Sequence, residues 1–208
     1  MYRFLFVAIL LLGSGVCVRA EEVTIDFESG SLIFLTPGNS GSLEGFNFTA
    51  GGPSGGFITT GNSGSCSPAC VSDGTKTLQV FNDANVTISP TGGGAFSVSS
   101  FDATGTFTGS TRNVTQLEVI GNLSGGGTVF ESFNVNPNAF GTFGLSSAFT
   151  NLTSVEYLGL APSGSSSPEF QLDNVKIDLS TTPEPASLLL FGTGLLGMGL
   201  VLRKSLLA

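Results

Sequence analysis

Short stretches in which apolar and polar residues alternate recur along most of this chain, and they constrain its fold more than any other feature. They are VTIDFE from residue 23, FNFT from 46, LQVF from 78, VTIS from 86, FSVSSF from 96, VTQLEVIG from 114, TVFESFNV from 128, SVEYLGL from 154 and FQLDNVKIDL from 170. A period of two with one apolar face marks strands covered on one side. Between them lie PGNSGS, AGGPSGG, SPTGGG and NLSGGG, rich in residues that accept positive φ or fix a turn. The pattern predicts eight to ten antiparallel strands. No helical periodicity of useful length interrupts them, so the fold class is all-β, an antiparallel two-sheet β-sandwich.

The inward positions are Val23, Ile25, Phe27, Phe46, Phe48, Phe96, Val98, Leu117, Val119, Phe133, Val135, Phe170 and Leu172. Most of the phenylalanine content is assigned to packing. In the last stretch Phe170 and Leu172 share a face, after which the apolar phase jumps by three to Val175, Ile177 and Leu179. A β-bulge at Asp173-Asn174 produces such a jump.

The chain opens like a secretory signal: Arg3, an apolar run from Phe4 to Leu12, and small residues at Val18-Arg19-Ala20 for signal peptidase. Domain boundaries are therefore set at 1–20 for the signal peptide, 21–180 for the β-sandwich domain and 181–208 for the tail. The middle part has the size of one ordinary domain. It carries 14 acids against only Lys76, Arg112 and Lys176, a net charge of about −11. Nucleic acid is excluded as a partner, because binding phosphate demands a basic patch.

Cys66 and Cys70 in CSPAC remain after processing, and an exported compartment is oxidising enough to pair them. The predicted disulfide closes a tiny loop, with a chain-entropy contribution of about 2 kcal/mol. A zinc site lacks further ligands, since the chain has no histidine. The Gly-x-Ser-x-Gly letters around Ser54 are a turn for the same reason: no histidine is available to take the serine proton. Carboxylates are the remaining reactive groups. Asp26, Glu28, Asp173 and Asn174 supply hard oxygen ligands for calcium if the first and last strands lie together. A glycosidase pair such as Glu28 with Asp173 is the weaker use of the same groups. Tyr157 alternates in phase with Val155 and is assigned to the core, and with no tryptophan present no sugar-stacking platform stands out.

Residues 186–202, ASLLLFGTGLLGMGLVL, hold no charge and are read as a transmembrane helix, followed at once by Arg203 and Lys204. The positive-inside rule keeps that basic end cytoplasmic and the body outside the inner membrane. Pro183-Glu184-Pro185, the Gly- and Leu-rich span and Arg203-Lys204 together resemble the PEP-CTERM sorting signal of Gram-negative bacteria. The resemblance implies that an exosortase recognises Pro-Glu-Pro, removes the helix and passes the body to the cell surface or the extracellular polysaccharide. The body, opening with DFE and closing with FTNLTSVEYLG and FQLDNVKI, is similar to jelly-roll modules related to carbohydrate-binding domains. The expected function is an exported, non-catalytic surface or matrix protein, with a calcium-assisted carbohydrate-binding module as the alternative.

Overall fold

A computed structural model describes residues 21–62, 64, 66–67, 69–160 and 167–179. The expected signal peptide, the stretch 186–202 read as a transmembrane helix, and the Pro-Glu-Pro stretch lie outside the described residues. Glu21–Ser180 forms one compact unit.

Twelve strands build it: β1 (Glu21–Ile25), β2 (Ser40–Leu43), β3 (Phe46–Gly51), β4 (Phe57–Gly61), β5 (Thr77–Phe81), β6 (Asn85–Pro90), β7 (Phe96–Gly105), β8 (Gln116–Leu123), β9 (Thr128–Asn134), β10 (Gly141–Gly144), β11 (Leu152–Leu160) and β12 (Phe170–Leu179). The expected eight to ten are too few. Those without a matching alternating stretch are β2, β4 and β10, all short. Three of the four β2 residues, Ser40 to Ser42, even belong to the PGNSGS cluster read as a turn, the Ser40 and Ser42 hydroxyls bonding across to Thr49 and Asn47.

All strand pairs are antiparallel. One sheet runs β2-β3-β6-β11-β8-β9. The other runs β10-β7-β12-β5-β4, with β1 beside the second half of β12. The ladders of the two sheets meet only at Leu152 opposite Phe96, so the architecture is a sandwich of two sheets, jelly-roll-like. Inward side chains of both sheets merge into one core, with Phe46, Phe48 and Tyr157 from the first meeting Phe96, Phe101 and Phe170 from the second. Tyr157 is fully buried and packs edge-on against Phe101 at 5.1 Å. Of the predicted core, Val23 and Phe133 are only partly buried at its margin.

The bulge is where the phase jump places it. Register slips between Asp173 and Lys176, and Asn174 takes a φ of 46°. A second irregularity follows in β7, where Lys176 pairs with Ser100 and Ile177 with Val98, leaving Ser99 over. Because both strands slip, Val175 and Ile177 stay fully buried while Phe170 and Leu172 keep the same inward face. Asp173, between them in sequence, points away from the core.

Candidate functional site

Away from the core, the β4-β5-β12-β7 sheet presents a second face. Alternation in β5 turns Leu78 and Val80 inward and Gln79 and Phe81 outward; in β12 it turns Gln171 and Asp173 outward. Strand register aligns these side chains in rows. Phe57 lies opposite Phe81, Thr59 opposite Gln79, and Gln79 opposite Gln171.

Part of this face is covered. After β4 the chain crosses over β5 and β12 to the end of β7, where Val71 N–H donates to Thr106 O at 2.8 Å and Cys70 pairs with Phe107. It then returns to β5. Beneath this strap the Gln171 amide donates to Val71 O at 2.9 Å, Thr77 donates to Gln171 Oε1 at 2.7 Å, and Gln79 Nε2 donates to Asn62 O and to the Cys70 sulfur. Thr77, Gln79, Gln171 and Asp173 are buried as a result, although none faces the core. Cys66 and Cys70 are disulfide-bonded with Cα atoms 5.4 Å apart, closing the strap as predicted.

Beside the strap lies a cleft of about 510 Å³. One wall is aromatic. Phe34 packs on Phe57 at 5.1 Å, Phe57 stacks on Phe81 at 4.7 Å, and Phe81 reaches Phe107 at 5.6 Å. Most phenylalanines do pack in or against the core, as expected, but none of these four belongs to the core cluster. Phe34 is 65% exposed, in the left-handed region at φ 43°. A bulky residue there is strained, and the surrounding contacts hold it. Leu35 exchanges both backbone hydrogen bonds with Ile58, and Leu32, buried, bonds Thr60, so residues 32–35 run along the free edge of β4 and bring Phe34 over Phe57.

The opposite wall is polar. Glu169 bonds backbone to backbone with Arg112 and Val114, and its carboxylate accepts from Arg112 Nη2 at 2.7 Å. The same Nη2 donates to Asn82 Oδ1. Asn113 is buried and fastens this turn, its side chain bonding the Phe107 backbone and Pro137 O. Burial pushes the Glu169 carboxyl up; the Arg112 charge and the Asn82 backbone N–H oppose this without cancelling it. Two residues of the lining carry a side-chain oxygen shut off from solvent, Gln79 Oε1 and Glu169 Oε2, for which no hydrogen-bond partner stands among the described residues.

The four predicted calcium donors are neighbours but not a cage. β1 and β12 do lie together, with Ile25 opposite Val175. Asp26 Oδ1 accepts from Glu28 N–H at 3.0 Å, and Glu28 Oε1 accepts from Lys76 N–H. Asn174 gives its side-chain amide to Asp102 at 2.9 Å. The Lys76 ammonium donates to Glu28 O and Gly30 O. Among the described residues no three Asp, Glu, His or Cys side chains gather as metal ligands. Asp173 instead meets Asp73 and Thr75 of the strap. Burial and the hydrogen bond with Asp73 raise its carboxyl to about 8, whereas Asp73, itself pushed up by burial, is held lower by hydrogen bonds from Thr75 and Asp173.

A family model of the PEP-CTERM protein-sorting motif matches residues 181–204. That span contains Pro183-Glu184-Pro185, Arg203 and Lys204, and the motif marks an exported protein with a transient membrane anchor that ends at the cell surface or outside after exosortase processing. No curated protein matches the chain. Solved structures similar to it include a mutant of the family 29 carbohydrate-binding module CBM29-2, at 14% identity over 77% of this chain and 92% of that one with a TM-score of 0.44. Another is the N-terminal CBM22-1-CBM22-2 tandem domain of Paenibacillus barcinonensis Xyn10C, at 13% identity over 83% of this chain and 49% of that one with a TM-score of 0.48. A third is TmCBM61 in complex with β-1,4-galactotriose, at 12% identity over 64% and 88% with a TM-score of 0.38.

Proposed function

We propose that the β-sandwich is a non-catalytic glycan-binding module, delivered by its tail to the cell surface or matrix, and that it binds in the Phe34-Phe57-Phe81-Phe107 cleft. The observation that carries this reading is an aromatic wall, held outside the core cluster, that shares one cleft with the polar side chains of Arg112, Glu169 and Asn82. Sugar rings have apolar C–H faces and hydroxyl edges, and ligand sites of this kind combine apolar walls with a few placed polar groups. A binding role rather than hydrolysis is supported by Glu169 being the one carboxylate among the described residues lining the cleft, already tied to Arg112. Glycoside hydrolysis ordinarily needs two.

Calcium enters this reading at the Asp73-Asp173 pair, whose hard oxygens suit the ion. Calcium bound there would join the strap that carries Asp73 to Asp173 of β12. The test uses the full chain, purified in detergent, sedimented with the producer's own extracellular polysaccharide in calcium and again in chelator. Binding that Phe34→Ala with Phe57→Ala abolishes is the expected result, with chelator weakening it. No sedimentation of folded protein under either condition sinks the reading.

A further inference from the structure

Hydrogen bonding to a ligand in this cleft falls to few groups. Gln79 and Glu169 are each only 1% exposed, and the oxygens they leave unpaired are shut off from solvent, so a glycan entering from solution does not reach them. The Thr59 and Thr60 hydroxyls are turned to Leu32 O, and the Asn82 side chain accepts from Arg112 and donates to Gly55 O at 3.1 Å. Arg112 differs. Its side chain is 44% exposed in the cleft lining, and among the described residues only its Nη2 has partners. Ser67, exposed on the strap, adds a hydroxyl that can donate or accept.

The way the guanidinium is held decides what it can take. Its five N–H donors lie in one plane, and both two-pronged edges, the side with Nε and the end with Nη1, share Nη2. Here the two Nη2 hydrogens go to Glu169 Oε1 at 2.7 Å and to Asn82 Oδ1. Neither edge is left whole for a carboxylate or sulfate to clasp with two parallel bonds. Nε and Nη1 remain as single donors. Acceptors standing singly around a ring are what a sugar offers in its hydroxyl oxygens. The guanidinium is also fixed in advance, because Glu169 N–H donates to Arg112 O at 3.0 Å while its carboxylate holds Nη2, and a group already ordered loses less freedom when a ligand arrives.

We propose that Arg112 is the specificity-determining donor of the cleft, giving single hydrogen bonds from Nε and Nη1 to hydroxyl oxygens of a bound glycan, with Glu169 and Asn82 as its positioning residues. This rests on the glycan-binding reading above and deepens it. The test uses the full chain in detergent with the producer's own extracellular polysaccharide, with xylan, dextran and cellulose oligomers as neutral probes and with alginate as a carboxylate-bearing one. Arg112→Lys keeps the charge beside Glu169 but loses the planar array of donors, and it should weaken the tightest-bound probe about tenfold or more. Glu169→Leu removes a carboxylate that the ligand does not touch and should lose as much. Glu169→Gln, whose amide oxygen can still accept from Nη2, should recover part of that loss, an order that unfolding alone does not produce.

On the unaltered chain, where no variant has to fold, the NMR signal of the Arg112 Nε–H should shift as the probe saturates. A probe held equally well by the lysine variant, or an Nε–H signal unmoved at saturation, overturns the assignment of Arg112 and leaves glycan binding standing. A preference for alginate that Arg112→Lys abolishes shows a carboxylate clasped instead and overturns the single-donor arrangement. Glu169→Gln binding no better than Glu169→Leu, at matched thermal unfolding, removes Glu169 as a positioning residue. Failure of every probe and of the producer's polysaccharide to bind overturns both readings.

Discussion

Phe57 and Phe81 face each other across the β4-β5 ladder with ring centroids 4.7 Å apart and planes 24° from parallel, yet neither belongs to the core of the sandwich. Fifteen phenylalanines lie between the signal and the tail, and the distinction between these two and a core residue such as Phe27 is one of face rather than chemistry. Phe57→Ala is expected to weaken polysaccharide binding about tenfold, because it removes a stacked pair worth about 0.5–1.5 kcal/mol and part of the wall a sugar would cover. Its own stability cost should stay near 1 kcal/mol, since the ring is only partly buried and lies outside the core cluster. Phe27→Ala, by contrast, empties a fully buried site and should cost about 3–5 kcal/mol. Urea midpoints beside sedimentation titrations separate the two effects; equal loss of binding and stability in Phe57→Ala would remove the residue from the site.

The Asp73-Asp173 pair makes stability depend on pH with an unusual sign. Asp173 is raised from 3.8 to about 8 in the folded protein, so between those values the native state keeps a proton that the unfolded chain releases. Stability therefore falls as pH rises through this window, by at most about 1.4 kcal/mol per pH unit, and levels off above about 8. Asp73, held below its ordinary value, acts oppositely, and only in more acidic solution: its contribution is lost as pH drops through its folded value. Glu169, also raised, adds to the decline. Urea unfolding across the window should show this slope in the unaltered chain and a flatter one in Asp173→Asn. A midpoint that climbs with pH through neutrality contradicts the assignment.

The sandwich was legible in alternation because each strand buries one face, and the bulge was legible because an odd-numbered jump in apolar phase has few other causes. The short strands were not. β2 is made of Ser40, Gly41, Ser42 and Leu43, with no apolar period, and its identity comes from pairing with β3 rather than from its own residues. The cleft was half legible. In LQVF, Phe81 shares its parity with Gln79 and not with Leu78 or Val80, a sign that it leaves the core side; what no local pattern shows is the strap that buries Gln79 and the segment that carries Phe34 to Phe57. The calcium donors failed to converge for the same reason. Adjacency of β1 and β12 was inferable, but the partner Asp173 finds, Asp73, comes from a loop whose path is set by long-range bonds to β7.

The sorting motif makes a prediction independent of the cleft. Pro183, Glu184 and Pro185 lie within the span that the sorting motif matches and give that motif its Pro-Glu-Pro signature. Replacing Pro183, Glu184 and Pro185 together by alanine is expected to leave most of the chain in the membrane fraction at unprocessed mass, while the unaltered chain reaches the surface or the medium. Cell fractionation with mass spectrometry of the body's C-terminal peptide reads the outcome. Equal release of both proteins removes Pro-Glu-Pro from the recognition step.

Asn174 tests whether the bulge positions the polar face or merely tolerates it. Its φ of 46° is one that asparagine adopts more readily than most residues and a β-branched residue resists, at a cost of about 1–3 kcal/mol. Asn174→Gly and Asn174→Val both lose the hydrogen bond to Asp102 Oδ2, so the difference between them isolates the backbone. The valine variant should be the less stable by about 1–3 kcal/mol in urea. If the bulge is what turns Asp173 toward Thr75 and Asp73, straightening it also removes the partner that raises Asp173, and the pH slope should shrink in the valine protein but persist in the glycine one. A valine variant that is destabilised yet keeps the full slope would show that Asp173 holds its place without the bulge, through the strap alone.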